Sequence, residues 1–483
     1  MWRLAKNAID TAVQQGADYA DIRIMDTSKE DLEMKNGELN TNLSNTLGFG
    51  IRVLYKGSWG FSSSDTVSLS EINRMAKRAV DIAKASHKVQ VKPVKWAKED
   101  AYTDHWFTPV LKNPFRIPLS VKVDLMTRID SKLRKKKKIK VASTRLSFQN
   151  IRKWFFNSEG SQILQDLMRS GAGYSVFAVG KGDMQKRSYP ASFGGQYYSG
   201  GWETIETMGL EENAERVRDE AIALLTADEC PEKTTDLILD GSQLVLQIHE
   251  SVGHPTELDR VLGYEANYAG RSFATTEKLN KFRYGSEIVN LIADNTAAKG
   301  LATQGYDDDG VRAQRWPIVK DGILTGYSTN RELAHKIGDK RSRGGNRADG
   351  YHNIPIVRIP NLSLMPGKWE LDELIEDTKD GIMMETNKSW SIDQMRLNFQ
   401  FGCEIGWEIK NGKKKRMLKN VSYQDITPKF WNKCNAICNE NYWDLWGVPN
   451  CGKGQPGQRS EMSHGASPAR FKDVKVGIGN KKK

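Results

Sequence analysis

The segment Thr235-Asp236-Leu237-Ile238-Leu239-Asp240-Gly241-Ser242, continuing through Leu244-Val245-Leu246-Gln247-Ile248 into His249-Glu250-Ser251-Val252-Gly253-His254-Pro255, carries the chain from a strand into a histidine pair. Leu237–Leu239 reads as a short apolar strand, and Gly241-Ser242 as a turn that can start a helix. His249 and His254 stand five residues apart with Glu250 directly after the first. This is the H-E-x-x-H pattern of zinc peptidase helices with one residue added. On an ideal α-helix, residues five apart point about 140° from each other, against about 40° for residues four apart. Gly253 weakens the helix and Pro255 biases His254 toward an extended backbone, so the sequence predicts that His254 swings back just beyond the helix end. Glu250, next to the first ligand, is then placed to take a proton from a metal-activated water without being a ligand itself.

Two histidines leave a catalytic zinc site short of a third protein ligand. The candidates are Glu257 and Asp259, the distant His335, His352 and His464, and the cysteines. Among these Cys451 stands out in Pro449-Asn450-Cys451-Gly452-Lys453-Gly454-Gln455-Pro456-Gly457. That glycine-rich loop is expected to expose a thiolate, with Lys453 favouring the charged form. Cys434 and Cys438 lack a second pair nearby and read as packing thiols. Tyr351 and His352 are candidate donors to a tetrahedral oxyanion.

Working outward, the first part alternates helical and strand patterns. Leu4, Ala8, Ala12 and Val13 recur at helical spacing, Phe49–Tyr55 reads as a half-buried strand, and Ser70–Ser86 as a helix burying Ile72, Met75, Ala76, Ala79, Val80 and Ala83. A loop with Pro and Trp runs to Pro118, followed by a helix that ends in a lysine run. Strands are expected at Lys140–Phe148, Ser161–Asp166 and Tyr174–Val179, with glycines and polar residues between them. A long helix over Leu210–Leu225 aligns Leu210, Ala214, Val217, Ala221 and Leu224 and is stopped by Pro231. The fold class read from this is α+β with two domains: an α/β domain over 1–229 and a mainly β domain over 230–483, the latter marked by turns such as Asp321-Gly322, Pro366-Gly367 and Asn411-Gly412.

The chain has 483 residues, enough for two to four domains and ample cores. Its 38% hydrophobic and 27% charged residues exclude collagen-like, wholly disordered and polytopic membrane chains. The net charge of +12 is concentrated in three runs: seven basic residues in Lys132–Lys140, four in Lys413–Arg416 and three in Lys481–Lys483. Without them the body is nearly neutral, so a nucleic-acid partner is not expected. Five scattered cysteines argue against a disulfide framework. With no signal-peptide pattern and no apolar stretch of spanning length, a cytoplasmic protein is expected.

The His249–His254 motif together with Cys451-Gly452-Lys453-Gly454-Gln455 resembles the TldD/PmbA family, in its TldD-like catalytic branch. Three further stretches carry the resemblance in order: Ala302–Gln314 with Asp307-Asp308-Asp309-Gly310, Asp321–Tyr327, and Arg347–Pro355 followed by Met365-Pro366-Gly367. The resemblance implies a two-domain metalloprotease that cuts unfolded polypeptides or leader peptides. It also implies Zn2+ held by His249, His254 and Cys451, Glu250 as general base, and a dimer with itself or with a PmbA-like subunit. The stretch Phe430–Trp446 looks like an insertion or a strongly altered loop, and the lysines at 135–138 match no family feature.

A second reading is a non-catalytic binding or regulatory subunit of the same fold, acting through the basic runs. Neutralising Lys135–Lys138 separates the two. A peptidase is expected to keep its turnover, whereas charge-driven binding would weaken and lose its salt dependence in a titration.

Overall fold

The computed structural model describes residues 1–180 and 182–477, so the basic run at 481–483 lies outside the described residues. In chain order the first part comprises α1 (Trp2–Gln14), β1 (Tyr19–Lys35), β2 (Glu38–Tyr55), β3 (Ser58–Ser64), α2 (Leu69–His87) and a short β4 (Thr103–Phe107). It continues with α3 (Leu119–Arg134), β5 (Ile139–Asn157), β6 (Gln162–Gly180), β7 (Asp183–Tyr189), β8 (Gln196–Ser199), α4 (Glu203–Glu206) and α5 (Leu210–Leu224). These strands make one sheet in the order β3-β2-β1-β5-β6-β4, with β7 and β8 also paired to β6. The period-two pleat sorts β1: Ile22, Ile24, Leu32 and Met34 go under the helices, while Asp21, Arg23 and Met25 alternate with them. The predicted helical faces of α2 and α5 are buried as read. On α1 the buried face is Ala5, Ala8, Ile9 and Ala12, and Val13 is exposed.

Three expectations for this part need correction. Phe49–Leu54 is buried on both faces rather than half-buried, because Arg52 on the second face is covered by Asp309 from the later part of the chain. The breaks expected within β5 and β6 do not occur: the two strands pair along almost their whole length, from Ile139↔Ala178 to Phe156↔Gln162. The glycines that suggested a break mark close approach instead, since a Cβ at Gly171 would collide with the Tyr197 ring and one at Gly173 with Gly195. The Pro/Trp loop also contains β4, parallel to β6.

Beyond it come β9 (Asp228–Glu229), β10 (Lys233–Leu239), α6 (Gly241–Ile248), α7 (Leu258–Val261), β11 (Leu291–Asp294), β12 (Arg315–Lys320), β13 (Ile323–Leu324), β14 (Asn346–Arg347), β15 (Ile356–Val357) and β16 (Leu362–Leu364). Then follow α8 (Leu371–Asp377), β17 (Asp380–Ile392), β18 (Asn398–Lys410), β19 (Lys413–Lys419), β20 (Ser422–Ile426), α9 (Thr427–Asn432), β21 (Cys434–Ile437), β22 (Asp444–Lys453), β23 (Gln458–Ala466) and β24 (Ala469–Val476). The second large sheet runs β17-β10-β24-β20-β18-β19-β9, and an added β17–β18 pairing closes five of its strands into a ring. Leu237, Leu239, Met384, Phe401, Tyr423 and Phe471 share one core with Leu244 and Ile248 of α6.

The segment 430–446, expected to be an insertion or a strongly altered loop, is built into the second sheet and its core. Phe430 and Trp431 are fully buried in that core, where Phe430 stacks on Phe471 at 4.0 Å, and β21 pairs with β24. Cys434 and Cys438 are buried in two different apolar clusters, and burial pushes both thiols up to about 12. No helix among the described residues is long and apolar enough to cross a membrane.

The turn Asp307–Gly310, between β11 and β12, ties the later part of the chain to the first large sheet through buried ion pairs. Arg52 of β2 donates to Asp21 at 2.6 Å and to Asp309 at 2.8 Å, and Lys153 of β5 donates to Asp308 at 2.6 Å. Arg23 reaches the same Asp308 and donates to the Asn353 carbonyl at 2.6 Å. Burial alone would raise the Asp308 carboxyl, but Lys153 and Arg23 outweigh it and hold it at about 2. That value lies below the ordinary one of about 3.9, so the stability it confers is complete above about pH 4 and is lost as pH falls through about 2. Asp308→Asn is expected to cost about 3–5 kcal/mol at neutral pH by leaving Lys153 and Arg23 underpaired. In urea denaturation, the gap between parent and variant should narrow from pH 4 toward pH 2.

Candidate metal centre

Asp240 opens α6 by accepting from the Ser242 N–H at 2.9 Å. After Ile248 the α-helical bonding gives way to one π-helical turn, His249–Gly253, closed by the His254 N–H on the His249 carbonyl. In such a turn the hydrogen bond spans five residues, so residues five apart share a face as residues four apart do on an α-helix. The two imidazoles accordingly lie 4.9 Å apart, centroid to centroid. The expectation of an extended His254 is therefore corrected: its φ and ψ are −58° and −42°, and Pro255 sits in a 3-10 turn, His254–Thr256. A wider helical turn absorbs the added residue.

Cys451 arrives from β22, which pairs with β23. Its Sγ lies 3.4 Å from His254 Nε2, and the donor atoms of His249, His254 and Cys451 all fall within 4.8 Å of one another, all three residues buried. The thiol is on a strand rather than an exposed loop. Lys453 does not serve it: that ammonium is buried against Asp259 at 2.6 Å, Glu257 at 3.3 Å and the Val357 carbonyl at 2.5 Å. Burial would raise the Cys451 thiol, yet the His254 ring and the Arg358 guanidinium outweigh it and set the thiol below its usual value. Arg358 also donates to the Cys451 carbonyl at 2.7 Å.

Each imidazole is oriented by a partner on its inner nitrogen. His254 Nδ1 faces the Glu257 carboxylate at 2.7 Å, which makes it the donor and leaves Nε2 with its lone pair toward Cys451. His249 Nδ1 faces His464 Nε2 at 2.8 Å, and His464 Nδ1 faces the Leu362 carbonyl at 2.9 Å. A carbonyl only accepts, so His464 donates from Nδ1 and accepts at Nε2, and His249 must donate from its own Nδ1. Its Nε2 is then also free. Burial pushes His249 below the ordinary histidine value and His254 and His464 well below it, which favours the neutral form that can ligate.

Glu250 lies in a cavity of about 510 Å3 together with His249, His254 and Cys451, and its carboxylate forms an ion pair with Arg396 from the β17–β18 turn. The other sequence candidates fall elsewhere. Glu257 and Asp259 lie behind the donors, with Lys453 between them, and His464 supports His249. His335 sits on a separate 3-10 turn. Tyr351 and His352 line another cavity beside the first sheet, so the oxyanion role does not hold for them. Arg358 and Arg396 carried no sequence signal, because both act on residues 93 and 146 positions away.

The residues fit a metal by their chemistry: one soft sulfur and two nitrogen donors with free lone pairs, the donor types that zinc takes. Two buried histidines from an expanded helical turn and a buried cysteine from a strand, beside a glutamate, form a group that could hold one metal ion. Family models agree over most of the chain: PmbA/TldA metallopeptidase domain 1 matches residues 20–83, the central domain 112–226 and the C-terminal domain 232–478. The chain belongs to the TldD/PmbA family. The family models divide the first part in two where the sequence reading kept one domain, and the first sheet spans both portions.

Curated relatives are named accordingly. A metalloprotease of Methanocaldococcus jannaschii is 32% identical over 440 residues, covering 90% of this chain and 92% of its own. A zinc metalloprotease TldD homolog of Saccharolobus solfataricus is 23% identical over 97% of this chain and 98% of its own. Among solved structures, TldE from Thermococcus kodakarensis superposes with a TM-score of 0.73 at 13% identity, covering 98% of this chain and 99% of that one, which shows a shared fold.

Removing a ring that orients a ligand typically weakens metal binding about 10–100-fold. His464→Ala is expected to do so here with the three donors intact, measured by chelator competition; unchanged affinity would deny His464 its orienting role.

Proposed function

We propose that the chain is a zinc-dependent metallopeptidase hydrolysing unfolded polypeptides or leader peptides, with His249, His254 and Cys451 as ligands and Glu250 as general base. The observation that carries this reading is the convergence of three buried donors and one carboxylate on a single cavity. The name of the Saccharolobus relative and the soft thiolate both favour zinc.

Zinc bound there would supply Lewis acidity, acidifying a water and polarising the scissile carbonyl. Glu250 accepts the proton of the attacking water and hands it to the leaving amine. Arg396 anchors that carboxylate at the cavity wall. Glu257 and His464 fix the ligand rings, so little reorientation is needed when the charge distribution changes. The edge of β22 that faces the cavity offers backbone groups to an extended peptide, a mode that tolerates varied sequences. As partner we propose a second copy or a PmbA-like chain, on family grounds. The basic run at 413–416 speaks for surface pairing rather than nucleic acid: Arg416 pairs with Glu408 at 2.8 Å and Asp228 at 2.5 Å, and Lys414 with Glu385 at 3.8 Å.

Glu250→Gln is expected to retain zinc and to lose a factor of about 100 or more in peptide cleavage, the loss typical of a missing general base. Metal content and turnover of an unstructured peptide measure both. Undiminished cleavage would remove Glu250 from the mechanism.

A further inference from the structure

The charged residues lining the cavity stand together, and the large apolar ones lie apart from them. Strand β17 runs beside α6, tied at one end by the Thr386 N–H to Ser242 Oγ at 3.1 Å, and its turn into β18 is tied at the other by Arg396 to Glu250. The charged groups that line the cavity, Glu250 and Arg396, sit with the three donors at that second end and neutralise each other. Between the anchors the walls carry Val245, Leu246, Trp390, Ile392 and Val448, with Phe193 contributed by the segment after β7 and the uncharged Ser192, Asn387 and Ser391 interleaved among them. Trp390 and Phe193 meet edge to face at 5.3 Å, one from each large sheet's region of the chain, yet each stays 47% exposed. Two large aromatic rings left half open to solvent at the mouth of an apolar, concave wall form a surface that an apolar group would cover.

Resting on the peptidase reading, we infer that the Phe193–Trp390 end of the cavity is a side-chain subsite selecting peptides that carry an aromatic or large aliphatic residue close to the scissile bond. An extended peptide advances about 3.3 Å per residue. The path along α6 from Ser242 to Glu250 covers about 12 Å at 1.5 Å per residue. A residue seated against Trp390 therefore lies within about three positions of the bond cut at the Glu250 end. An acidic or basic side chain placed there would give up part of its hydration against the Trp390 and Phe193 rings, and the two lining charges, Glu250 and Arg396, are already paired with each other.

The test walks a single Phe along an otherwise Gly-Ser-Ala decapeptide and then replaces it by Leu, Lys or Asp. Cut positions are read by mass spectrometry, and binding of the same labelled peptides by fluorescence anisotropy. The cut is expected to follow the Phe at a constant offset. Phe and Leu should exceed Lys and Asp by about tenfold or more in kcat/KM and in affinity, the scale of discrimination that apolar pockets reach. Trp390→Ala and Phe193→Ala should each collapse that ratio toward one, and Trp390→Phe should keep most of it. Cuts that ignore the Phe position, or binding indifferent to the side chain, would overturn the subsite. Tight Phe-dependent binding without any cleavage would uphold the subsite and count against hydrolysis alone.

Discussion

The β22–β23 hairpin against α6 is the contact on which the rest depends. One strand of it brings Cys451 to 3.4 Å from His254, and the other brings His464 to 2.8 Å from His249. One donor, Cys451, and the ring that orients another, His249, thus come from one two-stranded unit, across some 200 residues of chain. Neither contact is local, so the centre exists only when the C-terminal part has folded around α6. The buried Arg358 links the unit further by donating to the carbonyls of Cys451 and Gln458.

Such a site is costly to bury, and its surroundings offset the cost by pairing charge for charge. Glu257 serves two partners at once, the His254 ring and the Lys453 ammonium, while Asp259 takes the remaining share of Lys453. The same economy appears at Asp307–Gly310, where Arg23, Arg52 and Lys153 of the first sheet meet Asp308 and Asp309. Breaking one member of such a set leaves an uncompensated buried charge, which is why these residues act as rivets more than as net sources of stability. That turn also places the loop after β14, since Asp308 accepts the Ala348 N–H at 2.8 Å.

Much of the local structure was legible in the residues themselves. Helical periodicity identified the buried faces of α2 and α5, and Gly241-Ser242 marked the start of α6. What escaped was whatever depends on a distant partner. Periodicity counts residues per turn on the assumption of an α-helix, so the π turn at His249–Gly253 was read as a helix end. Lys453 was assigned to the nearest acidic thiol in sequence, yet its carboxylates lie 194 and more residues away. The core role of Phe430 and Trp431 was not legible, because their aromatic partners, among them Phe471, come from another strand. His464 stood among the possible ligands, and its hydrogen bonds place it behind His249, between that ring and the Leu362 carbonyl.

X-ray absorption at the zinc edge of the reconstituted full chain tests the centre most directly. One sulfur neighbour at about 2.3 Å with two imidazole nitrogens at about 2.0–2.1 Å is the expected first shell, with the sulfur absent in any metal retained by Cys451→Ser. A shell of oxygen and nitrogen alone in the parent protein, or a spectrum unchanged by Cys451→Ser, would contradict it.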